Sequence, residues 1–143
     1  MADPGEGRLH VSLVSPERVL YEGDAEMVVA RAAGGEIAFL PGHVPFLGAL
    51  GIGVVRVLLP GEDEVVAAVH GGFVEVSQDR VTVLSDVAEL AGDIDEVRAR
   101  TAREAAETRL RDHPDDEDAK AALARAEVRL LVFSGSGTTT PGV

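Results

Sequence analysis

Residues 81–99 read VTVLSDVAELAGDIDEVRA, and the character of the chain changes inside this stretch. Val81-Thr82-Val83-Leu84 is β-branched and apolar, as a strand requires. From Ile94 onward apolar residues are spaced by three to five positions, as a helix requires. Asp93 followed by Glu96 has the pattern of a capping box, and Asp95 and Glu96 suit the positive end of a helix dipole. Composition agrees on both sides of the break. Residues 1–84 hold 12 of the 16 Gly and 5 of the 7 Pro, whereas no Gly occurs from Asp93 to Ser134. Gly and Pro punctuate turns; Ala, Arg, Glu and Leu favour helices. A turn-rich β half is therefore joined to a helical half.

Working back from the break, Leu9, Val11 and Leu13 alternate with His10, Ser12 and Val14, the period of a half-buried strand. Further short runs follow at Arg18–Tyr21, Ala25–Ala32, Glu36–Leu40, Ile52–Leu59, Val65–Val69, Phe73–Val76, Val81–Leu84 and Val87–Leu90. Gly23-Asp24, Gly34-Gly35, Pro60–Glu64, Gly71-Gly72 and Ser77–Arg80 read as the turns between them. The expected fold class is α+β: an antiparallel sandwich of about ten short strands over residues 1–91, then a two-helix antiparallel hairpin over 92–134. Residues 135–143 are expected as a disordered tail.

Working forward, Ile94, Val97, Ala102, Ala105 and Leu110 form one expected stripe. Pro114 and the acidic run Asp115–Asp118 break the helix. Ala119, Ala122 or Leu123, Ala126, Leu130 and Phe133 form a second stripe, which Gly135 stops. A seam made largely of Ala lets two helices approach closely but buries little area. The hairpin reads either as a weakly held, mobile element or as a rigid prop for the sandwich.

The net charge of −12 and the five aromatic residues argue against nucleic acid, which calls for clustered cations and stacking platforms. With no Cys there is neither a disulfide framework nor a thiol nucleophile. The four His residues are scattered and read as surface or turn residues, and the acidic clusters lack a calcium-loop pattern. No serine elbow or Walker-type loop occurs. The longest uncharged apolar run, Val44–Val55, is broken by Pro45 and three Gly, so a soluble chain without a spanning segment is expected. These readings point to a binding or regulatory subunit rather than a catalyst.

Several motifs then carry a resemblance. Val14-Ser15-Pro16-Glu17 with Tyr21-Glu22-Gly23, Gly35-Glu36 leading into Leu40-Pro41-Gly42-His43-Val44-Pro45-Phe46-Leu47, and Gly71-Gly72-Phe73-Val74-Glu75-Val76 occur in an order that resembles the epsilon subunits of bacterial F-type ATP synthases. The resemblance covers about residues 8–133. It implies a non-catalytic central-stalk subunit lying against the gamma subunit and the membrane c-ring. Such a subunit couples proton-driven rotation to ATP synthesis, on the cytoplasmic face of the bacterial plasma membrane and peripheral to it. The loop Pro41, Gly42, His43, Val44 and Pro45 matches the c-ring side of the docking domain, and the hairpin would reach the alpha/beta catalytic head to inhibit hydrolysis. No cofactor is required, but regulatory ATP with Mg is implied by Ile94-Asp95-Glu96-Val97-Arg98-Ala99, which resembles the ATP-binding motif of some relatives. That comparison assigns Glu89, Ile94, Asp95, Arg98, Ala99, Arg125 and Arg129 to the nucleotide site. The chain departs from the ATP-binding pattern at Ala105, where those relatives carry Arg, and in a shorter segment between the helices. Asp95 and Arg98 also read as an ordinary first-turn carboxylate with a partner at i+3. The competing readings are an ATP-sensing module and an unrelated stand-alone β-sandwich.

Overall fold

Alternation of buried and open positions makes the strands. In Leu9–Val14 (β1) the residues Leu9, Val11 and Leu13 are buried and their neighbours are not; Arg80–Leu84 (β7) buries Val81 and Val83 in the same way. A computed structural model describes residues 7–135. The remaining strands are Val19–Ala25 (β2), Met27–Ala32 (β3), Gly35–Phe39 (β4), Phe46–Leu58 (β5), Glu64–Ser77 (β6) and Ala88–Leu90 (β8). Two helices follow, Glu96–Asp112 (α1) and Glu117–Gly135 (α2), after a 3-10 turn at Ala91–Asp93.

Eight strands stand where about ten were expected: one expected break, Gly71-Gly72, lies inside a strand and merges two runs, and another, Gly23-Asp24, lies inside a strand whose end moves on to Ala25. Gly23-Asp24 belongs to β2, paired with Val11 and His10. Gly71-Gly72 belongs to β6, which faces β5 in one register from Phe46–Val76 to Leu58–Glu64. The glycine pair bends this long hairpin instead of ending a strand. Gly72 has φ +124°, and a Cβ built on it would lie 2.2 Å from the Leu84 carbonyl oxygen. Only glycine tolerates both conditions.

The bend turns one continuous ladder into two layers. Beyond it, β6 pairs through Phe73–Ser77 with β7, and β7 with β1. Before it, β6 pairs through Ala67–Val69 with β8, while β5 passes on to β3 and β4. All pairings are antiparallel except β1 with β7, which is parallel. The two inner faces meet in one core, with Val11, Leu13, Val74, Val76, Val81 and Val83 on one side and Val28, Ala30, Phe39, Val55, Val57 and Val69 on the other. Phe39 is the largest fully buried side chain.

The outer face of the second layer is covered by α2, and α1 packs against α2. Ala68 of β6 packs with Ile94 and Val132, flanked by Val54, Val66 and Val128. Ile94 is extended and sunk into this cluster, so α1 starts only after Asp95. Asp95, not Asp93, is the N-cap: its Oδ1 accepts from the Arg98 backbone N–H at 3.1 Å. Asp93 instead accepts from Leu90 N–H and pairs with Arg18.

The expected α1 stripe is out of phase. Val97 is 72% exposed and Ala102 and Ala105 face solvent, whereas Ala99 and Ala106 are buried. In α2 the buried residues are Ala119, Ala126 and Val132, and Phe133 is partly exposed. The helix seam is therefore made of alanines, as its composition suggested. Asp116 opens α2 by accepting from Ala119 N–H at 3.0 Å, and it also pairs with Arg109. These two bonds hold its carboxyl below the usual range, the backbone bond contributing most. Gly135 is the last residue of α2, and residues 136–143 of the expected tail lie outside the described residues.

Candidate functional site

Two places gather the residues that the sequence singled out. The first is the loop Pro41–Pro45 between β4 and β5. Gly42 has φ +87° and its N–H donates to Asp79 Oδ1 at 2.7 Å, so the turn at the end of β6 grips the loop. His43 N–H donates to the Leu40 carbonyl at 3.0 Å, and His43 Nδ1 to the Val44 carbonyl at 2.7 Å. The His43 ring packs edge-on against Phe39 (centroids 5.0 Å apart) and against Phe46 (6.4 Å). Two prolines, a gripped backbone and an anchored ring leave the loop little freedom to lose on binding. Val44 of the loop nonetheless faces outward, 69% exposed, as does Leu47 at the start of β5, 72% exposed.

The second place is the junction of helices and sandwich. Glu89, Asp95, Arg98, Ala99 and Arg129 line one cavity of about 260 Å³, together with Asp93 and Ala102. Five of the seven predicted positions thus meet. Ile94 lies in the core beneath them. Arg125, one helical turn before Arg129, is close enough for its charge to act on His70. Glu89 Oε1 accepts from Arg129 Nε at 2.7 Å. Arg98 uses its backbone, not its side chain, on Asp95; no ion pair forms between them, and among the described residues no carboxylate lies within ion-pair distance of the Arg98 or Arg125 guanidinium. Ala105 is exposed on α1. Arg109, out of register, is taken up by Asp116. Among the described residues no three His, Asp or Glu gather as a metal site.

The residue that sequence reasoning missed is His70. It was expected at the surface or in a turn, but its side chain is only 4% exposed, and its Nε2 lies 3.0 Å from Glu89 Oε1. Burial lowers its pKa most; the nearby Arg129 and Arg125 charges add to this, while the bond to Glu89 opposes it. The available signal was its place at the end of the apolar run Val65–Val69, where an imidazole is out of character.

Two family models match the chain: "ATP synthase, Delta/Epsilon chain, beta-sandwich domain" over residues 8–91 and "ATP synthase, Delta/Epsilon chain, long alpha-helix domain" over 93–133. An ATP synthase epsilon chain of Brevibacillus brevis is 52% identical over 103 residues, covering 72% of this chain and 78% of the relative. That of Thermobifida fusca is 50% identical over 126 residues, covering 86% and 90%. A chain in the structure of the Euglena gracilis mitochondrial ATP synthase (OSCP/F1/c-ring) has the same fold, with TM-score 0.68 at 22% identity over 90% of this chain and 78% of that one.

Proposed function

The chain belongs to the ATP synthase delta/epsilon family, as an epsilon chain of the central stalk, and on that premise we propose that its sandwich docks on the gamma subunit and the c-ring while its hairpin binds regulatory ATP. Membership disposes of the unrelated stand-alone sandwich as an alternative. No helix among the described residues is long and apolar enough to cross a membrane. Attachment to the inner face of the plasma membrane through the complex is part of this reading. The chain itself is non-catalytic; it carries torque and, through the hairpin, restrains hydrolysis in the alpha/beta head.

The observation that carries the docking reading is the loop 41–45, held from behind by Asp79 and Phe39 with Val44 and Leu47 presented outward. A rigid apolar projection suits a fixed joint between rotor parts, since little conformational freedom is lost on docking. Co-purification tests this: the chain is expected to emerge with gamma and the c-ring, and its absence from that complex overturns the reading.

The nucleotide reading is supported by the arginines. Arg98 and Arg125 are uncommitted among the described residues, and Arg129 can exchange Glu89 for a phosphate. A planar guanidinium donates two hydrogen bonds to such a group. Mg would be carried on the nucleotide's own phosphates. The cavity, at about 260 Å³, falls below the roughly 300–1,000 Å³ of enclosed ligand sites; part of the nucleotide then stays in solvent. Arg129→Gln is expected to weaken Mg-ATP binding about ten- to a hundredfold by calorimetry, the scale of a hydrogen bond to a charged group. Absence of binding by the natural chain at millimolar ATP overturns the nucleotide reading and leaves the docking reading standing.

A further inference from the structure

His70 sits where three elements meet. Its backbone N–H donates to the Val87 carbonyl at 3.0 Å, which fixes it beside β8. Its Nε2 reaches the same Glu89 oxygen that accepts from Arg129 Nε. A carboxylate only accepts, so Nε2 carries the proton of the neutral ring. The other nitrogen, Nδ1, is buried without a hydrogen-bond partner among the described residues. In the neutral ring it is a bare acceptor. In the cation it would carry a proton with nothing to receive it, inside a site that already holds arginines.

We propose that His70 is a positioning residue: its Nε2–H fixes the Glu89 carboxylate beneath Arg129, and this clamp holds α2 on the sandwich only while the imidazole is neutral. The charged groups facing the ring are Glu89 from β8 and Arg129 and Arg125 from α2. Its partner on β5 is the uncharged Ile52. Both repelling charges therefore belong to the helix that would leave. Release of α2 gives the ring water and removes both arginines, so the released state binds the proton more readily than the docked one.

The sign follows from linkage. Docking depresses the affinity of His70 for a proton, chiefly by burial. Its contribution to docking is complete above the ordinary imidazole range, about pH 6.5, and is lost as pH falls from there toward the depressed value. The clamp involves no nucleotide, so it stands or falls separately from the ATP reading.

The absence of Cys makes the test direct. Spin labels on Glu62→Cys in the β5–β6 loop and Lys120→Cys in α2 of the full chain report their separation. Between about pH 8 and about pH 5.5, either side of the ordinary imidazole range, the long-distance population is expected to rise severalfold. His70→Gln keeps a donor near the Nε2 position and cannot titrate, so it should stay docked with a flat profile. A flat natural profile, or the same acid release in His70→Gln, overturns the clamp. A second readout needs no variant: in the natural chain the His70 ring should appear by NMR as the Nε2–H tautomer and titrate below the ordinary imidazole range, about pH 6.5. The Nδ1–H tautomer, or titration at or above about pH 6.5, overturns it as well.

Discussion

Gly72→Ala is expected to yield no cooperatively folded protein. The new Cβ would stand 2.2 Å from the Leu84 carbonyl oxygen, 2.8 Å from Ser85 Cα and 3.1 Å from the Leu84 carbonyl carbon. These are backbone atoms of the neighbouring strand and its exit, so no side-chain rotation relieves the contact. The residue also has φ +124°, a region closed to a residue with a Cβ. A clash and a forbidden dihedral together place the cost above about 4 kcal/mol, within reach of the whole stability of a domain, about 5–15 kcal/mol. Gly71→Ala is the control. It shares a positive φ, +88°, but its Cβ would meet only the Leu50 oxygen at an ordinary 3.9 Å. Its cost is that of one left-handed residue, about 1–2 kcal/mol. Thermal melts of the two variants should differ sharply; a Gly72→Ala protein melting within a few degrees of the natural chain would show that the bend is not needed.

Phe39→Ala is expected to be the most damaging truncation in the core. The ring is fully buried, packs against His43 and lies 5.5 Å from the Phe46 ring. Truncating a buried Phe costs about 3–5 kcal/mol, the lost burial plus the cavity left behind. For a chain of this size that lowers the melting temperature by roughly 10–20 °C. The second effect is local. With Phe39 gone the His43 ring loses its backing and loop 41–45 loosens, so association with the stalk should weaken even at temperatures where the variant is folded. Phe39→Leu fills most of the volume and should keep most of the stability while still releasing His43. Equal docking by Phe39→Leu and the natural chain would detach the ring from the function of the loop.

The two-part plan was legible because both signals are local. Alternation at Leu9–Leu13 and Val81–Val83, and the disappearance of Gly after Asp93, each depend on neighbours in sequence. The failures share a cause, contacts made at long range. Gly71-Gly72 looks like a hairpin turn until β7 is laid beside it, and then the pair proves to be a bend inside a strand. Asp93 and Asp95 are equally good caps by composition; burial of Ile94 in a cluster with Val132 decides between them. The phase of α1 was misread because its buried side offers only Ala99 and Ala106, too little contrast to outweigh Val97. Five of the seven residues lining the cavity could be named by family resemblance, but not His70 beside it, because a pair with Glu89 nineteen positions away leaves no periodic trace.

The continuity of β6 through the glycine bend has a mechanical meaning. One end of the strand, at Val76 and Ser77, adjoins the turn that grips loop 41–45; the half before the bend carries Ala68 and His70 beneath α2. A sandwich of two separate sheets would pass a load between its ends through side-chain packing, which shears. Here the load runs along covalent backbone, which scarcely stretches, with β5 as a parallel tie over the same span. That makes the sandwich a stiff coupling between the two places, and leaves the alanine seam of the hairpin as the compliant element.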